Sequence, residues 1–148
     1  MTGPIVVIGE ADAGTVTIRA LGRMHGSARD YWDGNWLVTP VEIVAGGFTG
    51  KIPANLRAEE FRAFREELER LYADLHGTAT LKSMEDWLHL TVTAESRGLI
   101  SVTGRAIDDH ESGNQLSFRI RGLDQSYLPP IIDALLALED AFPVVGTP

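Results

Sequence analysis

The sequence predicts an α+β fold: a mostly antiparallel β-sheet meander with two amphipathic helices packed on one side. Three observations predict it. Two segments, Ala58 to Leu75 and Tyr127 to Phe142, carry apolar residues at spacings of three and four, the period of a helix with one buried face. Three successive segments between Leu88 and Arg121 alternate apolar and polar residues with period two. The links between those segments are short and rich in glycine or polar residues, which joins neighbouring strands antiparallel and leaves one face wet. The 148 residues suit a single domain (1–148), with residues 1–13 and the tail 143–148 expected to be peripheral.

In chain order, Val16, Ile18 and Ala20 alternate with Thr17 and Arg19 as a first clear strand. Leu37, Thr39, Val41 and Ile43 share one face of the next, where Pro40 demands an edge position or a bulge. A short strand from Phe48 to Ile52 follows the Gly46–Gly47 turn. The first helix sets Phe61, Phe64, Leu68, Leu71, Tyr72 and Leu75 on one stripe, with Asn55 expected as its cap and Gly77 as the left-handed residue ending it. Thr78 to Ser83 leads into the alternating strands Leu88–Ala94, Ile100–Ala106 and Leu116–Ile120, the last two joined by a polar hairpin loop from Asp108 to Asn114. The second helix buries Ile131, Ile132, Leu135, Leu136 and Leu138; Ser126 is its expected cap, Pro129 and Pro130 fall in the first turn, and Pro143 stops it. Each half places strands before one helix, but the two helices share only their pattern, and no duplication is inferred.

Lys and Arg number 13 against 21 Asp and Glu, for a net charge of -8, and the acidic excess holds in both halves. That balance disfavours nucleic acid as a partner, because binding to phosphates rests on clustered cations. It suits encounter with a basic protein, and also plain solubility. Cysteine is absent, which excludes disulfides, thiolate nucleophiles and cysteine-held metal clusters. No stretch approaches the ~20 apolar residues of a membrane span, and the first residues lack a basic leader. The expectation is a cytoplasmic protein with no membrane partner.

Residues that carry chemistry are sparse. His25, His76, His89 and His110 lack metal-pair spacing, so no metal site and no cofactor are expected. No serine sits in a Gly-x-Ser-x-Gly elbow, and Gly46-Gly47-Phe48-Thr49-Gly50-Lys51 leads to Pro53 instead of a helix, unlike a phosphate loop. Glu85 and Asp86 are adjacent, and neighbours on an extended chain point apart. The sequence predicts no catalytic residues.

The densest segment is Arg29-Asp30-Tyr31-Trp32-Asp33-Gly34-Asn35-Trp36. Asp33-Gly34-Asn35 signals a turn, with Asp33 expected to bond the turn amides and Trp36 to plug the core. Asp30, Asp33 and Asn35 lack the spacing of a calcium loop. The alternative role for the cluster is partner binding, since aromatics and arginine dominate interface energetics. Asp30, Tyr31, Trp32 and Asp33 are the first candidate partner contacts; Asp108, Asp109 and Glu111 form an acidic hairpin tip that offers a second. His89, Arg105, Arg119 and Arg121 share the polar parity of the meander and make a modest basic stripe, equally well read as a solvated face.

Some of these residues also have a recognisable order. Asp33-Gly34-Asn35-Trp36-Leu37, then Gly47-Phe48 before a helix, Met84-Glu85 leading into Leu88-His89-Leu90, Gly98 with Ile100 to Gly104, and Leu116-Ser117-Phe118 with Leu123-Asp124-Gln125-Ser126-Tyr127-Leu128 resemble the WapI-type immunity proteins over residues 14 to 142. The resemblance implies a noncatalytic protein that binds and neutralises a cognate bacterial toxin domain, such as a basic nuclease. Asp33, Asn35, Trp36, Glu85, Asp124 and Gln125 match the recurring pattern as framework or ligand residues. Two alternatives stay open: a small-ligand-binding or enzymatic domain with a pocket near Asp33, Glu85 and Asp124, and a homo-oligomer, for example a homodimer.

Overall fold

The structure is a computed structural model and describes residues 3–148. Ten strands and three helices follow one another in the order β1 (Ile5–Glu10), β2 (Gly14–Arg19), β3 (Gly22–Arg23), α1 (Tyr31–Gly34), β4 (Leu37–Val38), β5 (Val41–Ala45), β6 (Phe48–Ile52), α2 (Ala58–Asp74), β7 (Thr78–Lys82), β8 (Leu88–Ala94), β9 (Leu99–Ile107), β10 (Gln115–Asp124) and α3 (Leu128–Ala141). The fold is α+β with antiparallel pairing throughout, as the period-two segments require. The meander is divided, however, into two four-stranded sheets, ordered β1-β2-β5-β6 and β10-β9-β8-β7, plus the small ribbon β3-β4. Each half of the chain therefore builds one antiparallel sheet and follows it with one long helix. The β3–α1–β4 excursion is inserted between β2 and β5.

The segment before Gly14 is more than peripheral. β1 is an edge strand in position, yet it places Val6 and Ile8 in the core, paired across from Ile18 and Val16. Met1 and Thr2, part of the same expectation, lie outside the described residues. Pro40 separates β4 from β5, the interruption its missing N–H predicts.

The buried stripe of α2 is Phe61, Phe64, Leu68 and Leu71, whereas Tyr72 and Leu75 are exposed beyond its edge. Asn55 does not cap this helix. Arg57 occupies the N-cap, and its amide donates to Glu60 Oε1 at 2.7 Å. Leu75, with φ 50°, takes the left-handed turn that ends α2, and Gly77 follows at φ 94°. In α3 the buried side is Leu128, Ile131, Ile132, Leu135 and Leu138, and Leu136 turns outward. Ser126 does not cap it: Tyr127 is the N-cap, without a side-chain bond, and the short turn before it is capped by Asp124, whose carboxylate accepts from the Ser126 amide at 2.8 Å and from its hydroxyl. Pro129 and Pro130 sit in the first turn as expected.

Two polar links fix α2 in place. Arg65 donates from Nε and Nη2 to both Glu139 oxygens at 2.9 and 2.8 Å, joining α2 to α3, and that carboxylate raises the Arg65 pKa. Thr80 N donates to Glu67 Oε1 at 3.0 Å, joining α2 to β7. Leu116 and Ile120 of β10 approach Gly50 and Gly14 of the first sheet, so both sheets share one apolar core.

Candidate functional site: an aromatic clasp around Arg57

The residues Asp30 to Trp36 fold into the single helical turn α1 and its exit. Asp30 is the cap: its Oδ2 accepts from the Asp33 amide at 3.1 Å. The roles expected of the two aspartates are thus exchanged, because the first residue of an Asp-x-x-Asp turn faces the free amides. After the turn, Leu37 N and Thr39 N donate to Leu56 O and Ala54 O at 2.9 and 3.0 Å. Ala58 N donates to Asn35 O at 2.9 Å. These bonds lay the chain before α2 alongside the exit of α1 and deliver Arg57 into the loop.

Arg57 is 1% exposed and organises the site. Nη1 donates to Trp32 O at 2.8 Å, Nη2 to Tyr31 O at 2.7 Å, and Nε to the Glu59 carboxylate. The rings of Trp36, Tyr31 and Trp32 surround the guanidinium with centroids 4.7, 5.3 and 5.7 Å from Cζ. A planar cation with a fork of donors suits this cage, since it bonds in its plane while its faces meet aromatic electrons. Trp36 accordingly packs on Arg57, half-buried, and does not plug the core.

The tail closes the clasp. Asn35 is buried; its Nδ2 donates to Tyr31 O and Val145 O, and its Oδ1 accepts from Val145 N, all at 2.9 Å. Arg23 donates to Gly34 O at 2.7 Å and to Pro143 O at 2.6 Å. A Cβ on Gly34 would stand 2.6 Å from Val145 Cγ2, so the turn and the tail are in direct contact. The tail expected to be peripheral is stitched to residues more than 100 positions earlier. Burial and, next, the neighbouring Glu59 carboxylate raise the Tyr31 phenol pKa.

One large side chain of the loop stays in solvent. Trp32 is 55% exposed, its ring edge-on to Tyr31 at 5.0 Å, with Asp30 and Asp33 exposed beside it in sequence.

The other sequence candidates are separate from this clasp. In the β9–β10 loop, Asp109 Oδ1 accepts from the amides of Glu111 and Ser112 at 2.8 and 2.6 Å. Asp108 accepts from Asn114 N and Nδ2 at 3.1 and 3.0 Å. Hydrogen bonds from Asn114 to Asp108 and from Ser112 to Asp109 hold both carboxyls below the usual range. These two aspartates shape the hairpin, and Glu111 is exposed. Glu85 lies in the β7–β8 turn, where its carbonyl accepts from His110 Nε2 at 2.6 Å. Asp124 is occupied with Ser126, which lowers its pKa, and Gln125 opens the short turn before α3. Asp33, Glu85 and Asp124 belong to three different elements and line none of the surface hollows described below.

Sequence reasoning missed Arg57, Arg23 and Glu60. Glu60 bridges two elements, accepting from Arg57 N at 2.7 Å and from Met84 N at 2.6 Å, and burial pushes its carboxyl up to about 7. The readable signal for Arg57 is a lone cation inside the small apolar run Ala54, Leu56, Ala58. Among the described residues no group of three or more His, Cys, Asp or Glu could hold a metal ion. No helix among them is long and apolar enough to cross a membrane.

The fold is a small α+β one in which the buried polar side chains Asn35 and Arg57 hold the α1 loop and the tail in fixed positions. The chain belongs to the immunity protein WapI-like family, whose model matches residues 7–143. The match begins inside β1 and ends where the tail meets Arg23, beyond the 14–142 span of the quoted motifs. No curated protein matches the chain.

Proposed function

We propose that this protein is a noncatalytic immunity protein that binds a cognate bacterial toxin domain in the cytoplasm and neutralises it by covering its working surface. Membership of the immunity family supports the toxin as partner. The observation that carries the choice of surface is Trp32: a large aromatic ring, 55% exposed, on a loop fastened by Arg57, Asn35 and the tail. Binding surfaces gain most from aromatic anchors that lose little conformational entropy on docking. Asp30 and Asp33 beside the ring, with the net charge of -8, suit a basic nuclease domain whose approach they would accelerate. Glu111 on the β9–β10 hairpin offers a second acidic contact.

The test is a pull-down with the chain from its native bacterium, followed by co-expression with any toxin domain recovered. Restored growth with the wild type, and loss of protection by Trp32→Ala/Asp33→Lys, is the expected result. Failure of the wild type to protect or to bind would overturn the reading.

A further inference from the structure

The second sheet has an uncovered face of opposite character to the rest of the molecule. Its inward residues, among them Leu81, Leu90, Val92 and Val102, are buried in the core. The cross-strand register sets the outward residues in rows. Lys82 pairs with His89, His89 with Arg105, and Arg105 with Ser117. In the next row Thr80, Thr91 and Thr103 lead to Arg119. Ser101 and Thr93 continue the pattern, and Arg121 follows Arg119 along β10. Apart from Arg97, every Lys and Arg after residue 75 stands on this face. Among the described residues none of these cations forms an ion pair. The carboxylates nearby stand at its borders: Glu95, which accepts from Ser101 Oγ at 2.9 Å, and Asp124, opposite Leu99, at one end, and Glu67, which accepts from Thr80 N at 3.0 Å, at the β7 edge.

The face is also shaped. Thr103 lines three adjoining shallow hollows of about 570, 460 and 300 Å³. The first is walled by the β5–β6 turn, where Phe48 is 68% exposed, and by Phe118 and Arg119. The second runs past Arg119 and Arg121, and the third past His89 and Arg105. The second and third form a trough across β8, β9 and β10 with cations and hydroxyls along its floor; the first adjoins it at the β10 edge, where Phe118 and Phe48 line the side that faces the first sheet.

We propose that this trough is a second docking surface, for an extended acidic segment of a partner protein. Arginine forks and threonine hydroxyls are matched donors for carboxylates, and a row of unpaired cations on an otherwise acidic chain is complementary to such a segment. Nucleic acid fits less well. No outward position on β8, β9 or β10 is aromatic, so bases laid along the strands have no stacking platform there; Phe48 stands off the sheet, at the β5–β6 turn. The surface is independent of the Trp32 clasp, and either can fail without the other.

The experiment titrates the full chain against a fluorescently labelled 12-residue oligoglutamate peptide, followed by anisotropy at 50 and 300 mM NaCl. A single-stranded oligonucleotide of equal charge serves as the second probe. Saturable binding of the peptide is expected, weakened at least tenfold by Arg105→Gln/Arg119→Gln and at least tenfold by the higher salt. The control Arg62→Gln/Arg70→Gln, on the exposed side of α2, leaves it unchanged. Unaltered melting of each variant confirms folding, and amide exchange reports whether protection falls on β8 to β10. No saturable binding, equal loss in the control, protection elsewhere, or tighter binding of the oligonucleotide would each overturn the proposal.

Discussion

Replacing Arg57 by Met removes a guanidinium that makes three hydrogen bonds and keeps its volume within the aromatic cage. Two of those bonds hold the carbonyls of Tyr31 and Trp32, and the third joins the Glu59 carboxylate. Hydrogen bonds from a charged donor are each worth about 1.5–3 kcal/mol, and stranding a largely buried carboxylate adds a penalty. Part of the loss is recovered because methionine no longer desolvates a cation. The net expectation is a destabilisation of about 3–5 kcal/mol, or a fall in melting temperature of roughly 10 °C for a chain of this size. Arg57→Lys keeps the charge but cannot span both carbonyls and the carboxylate, so it loses about half as much. Urea unfolding followed by tryptophan fluorescence measures both, with the slope required to stay constant. A loss of unfolding free energy below about 1 kcal/mol for Arg57→Met would refute the view that Arg57 organises the loop.

Three further outcomes follow from the same structure. Asn35→Ala, which deletes both bonds to Val145 and one to Tyr31, is expected to cost about 2–3 kcal/mol and to expose the Val145 amide to rapid hydrogen exchange; unchanged exchange would mean the tail is held by other contacts. Gly104→Ala would drive a Cβ into the Phe118 ring and to 2.8 Å from Leu90 Cδ2, costing about 1–3 kcal/mol, and Phe118→Ala in the same chain is expected to relieve part of that cost by thermal melting. Glu60 gives the pH dependence its sign: with its carboxyl at about 7 in the folded chain and 4.5 as the ordinary value, the folded form retains a proton that the unfolded form releases, so stability falls as pH rises between those values. The wild type should lose about 3 kcal/mol relative to Glu60→Gln between pH 4.5 and 8, and a pH-independent difference would contradict it.

The parts of this fold legible in the sequence are those written in side-chain spacing. Phe61, Phe64, Leu68 and Leu71 recur at helical period because one helix face meets the core, and Leu88 to Ala94 alternates because one sheet face does. Boundaries set by single polar bonds were harder to read: Asp30 and Asp33 are equivalent as letters, and only backbone direction tells which faces the free amides. β1 is hard to read because Ile5 to Ile8 is an unbroken apolar run, although only Val6 and Ile8 point inward. The clasp was least visible, because it depends on meetings between residues 25 to 120 positions apart. The aromatic cluster was recognised as dense, but its central cation comes from another segment. The basic stripe of the meander is visible from parity alone; that it lines open hollows depends on the register of β8, β9 and β10.

Calorimetric titration of the purified chain with a toxin domain recovered by pull-down, using wild type and Trp32→Ala, bears most directly on the proposal that a rigidly held aromatic loop is the recognition surface. Trp32→Ala should weaken binding at least 30-fold, the scale of an interface hot spot, while its urea stability stays within about 1 kcal/mol of wild type. Equal affinities for the two proteins, or no complex with either, would contradict the account.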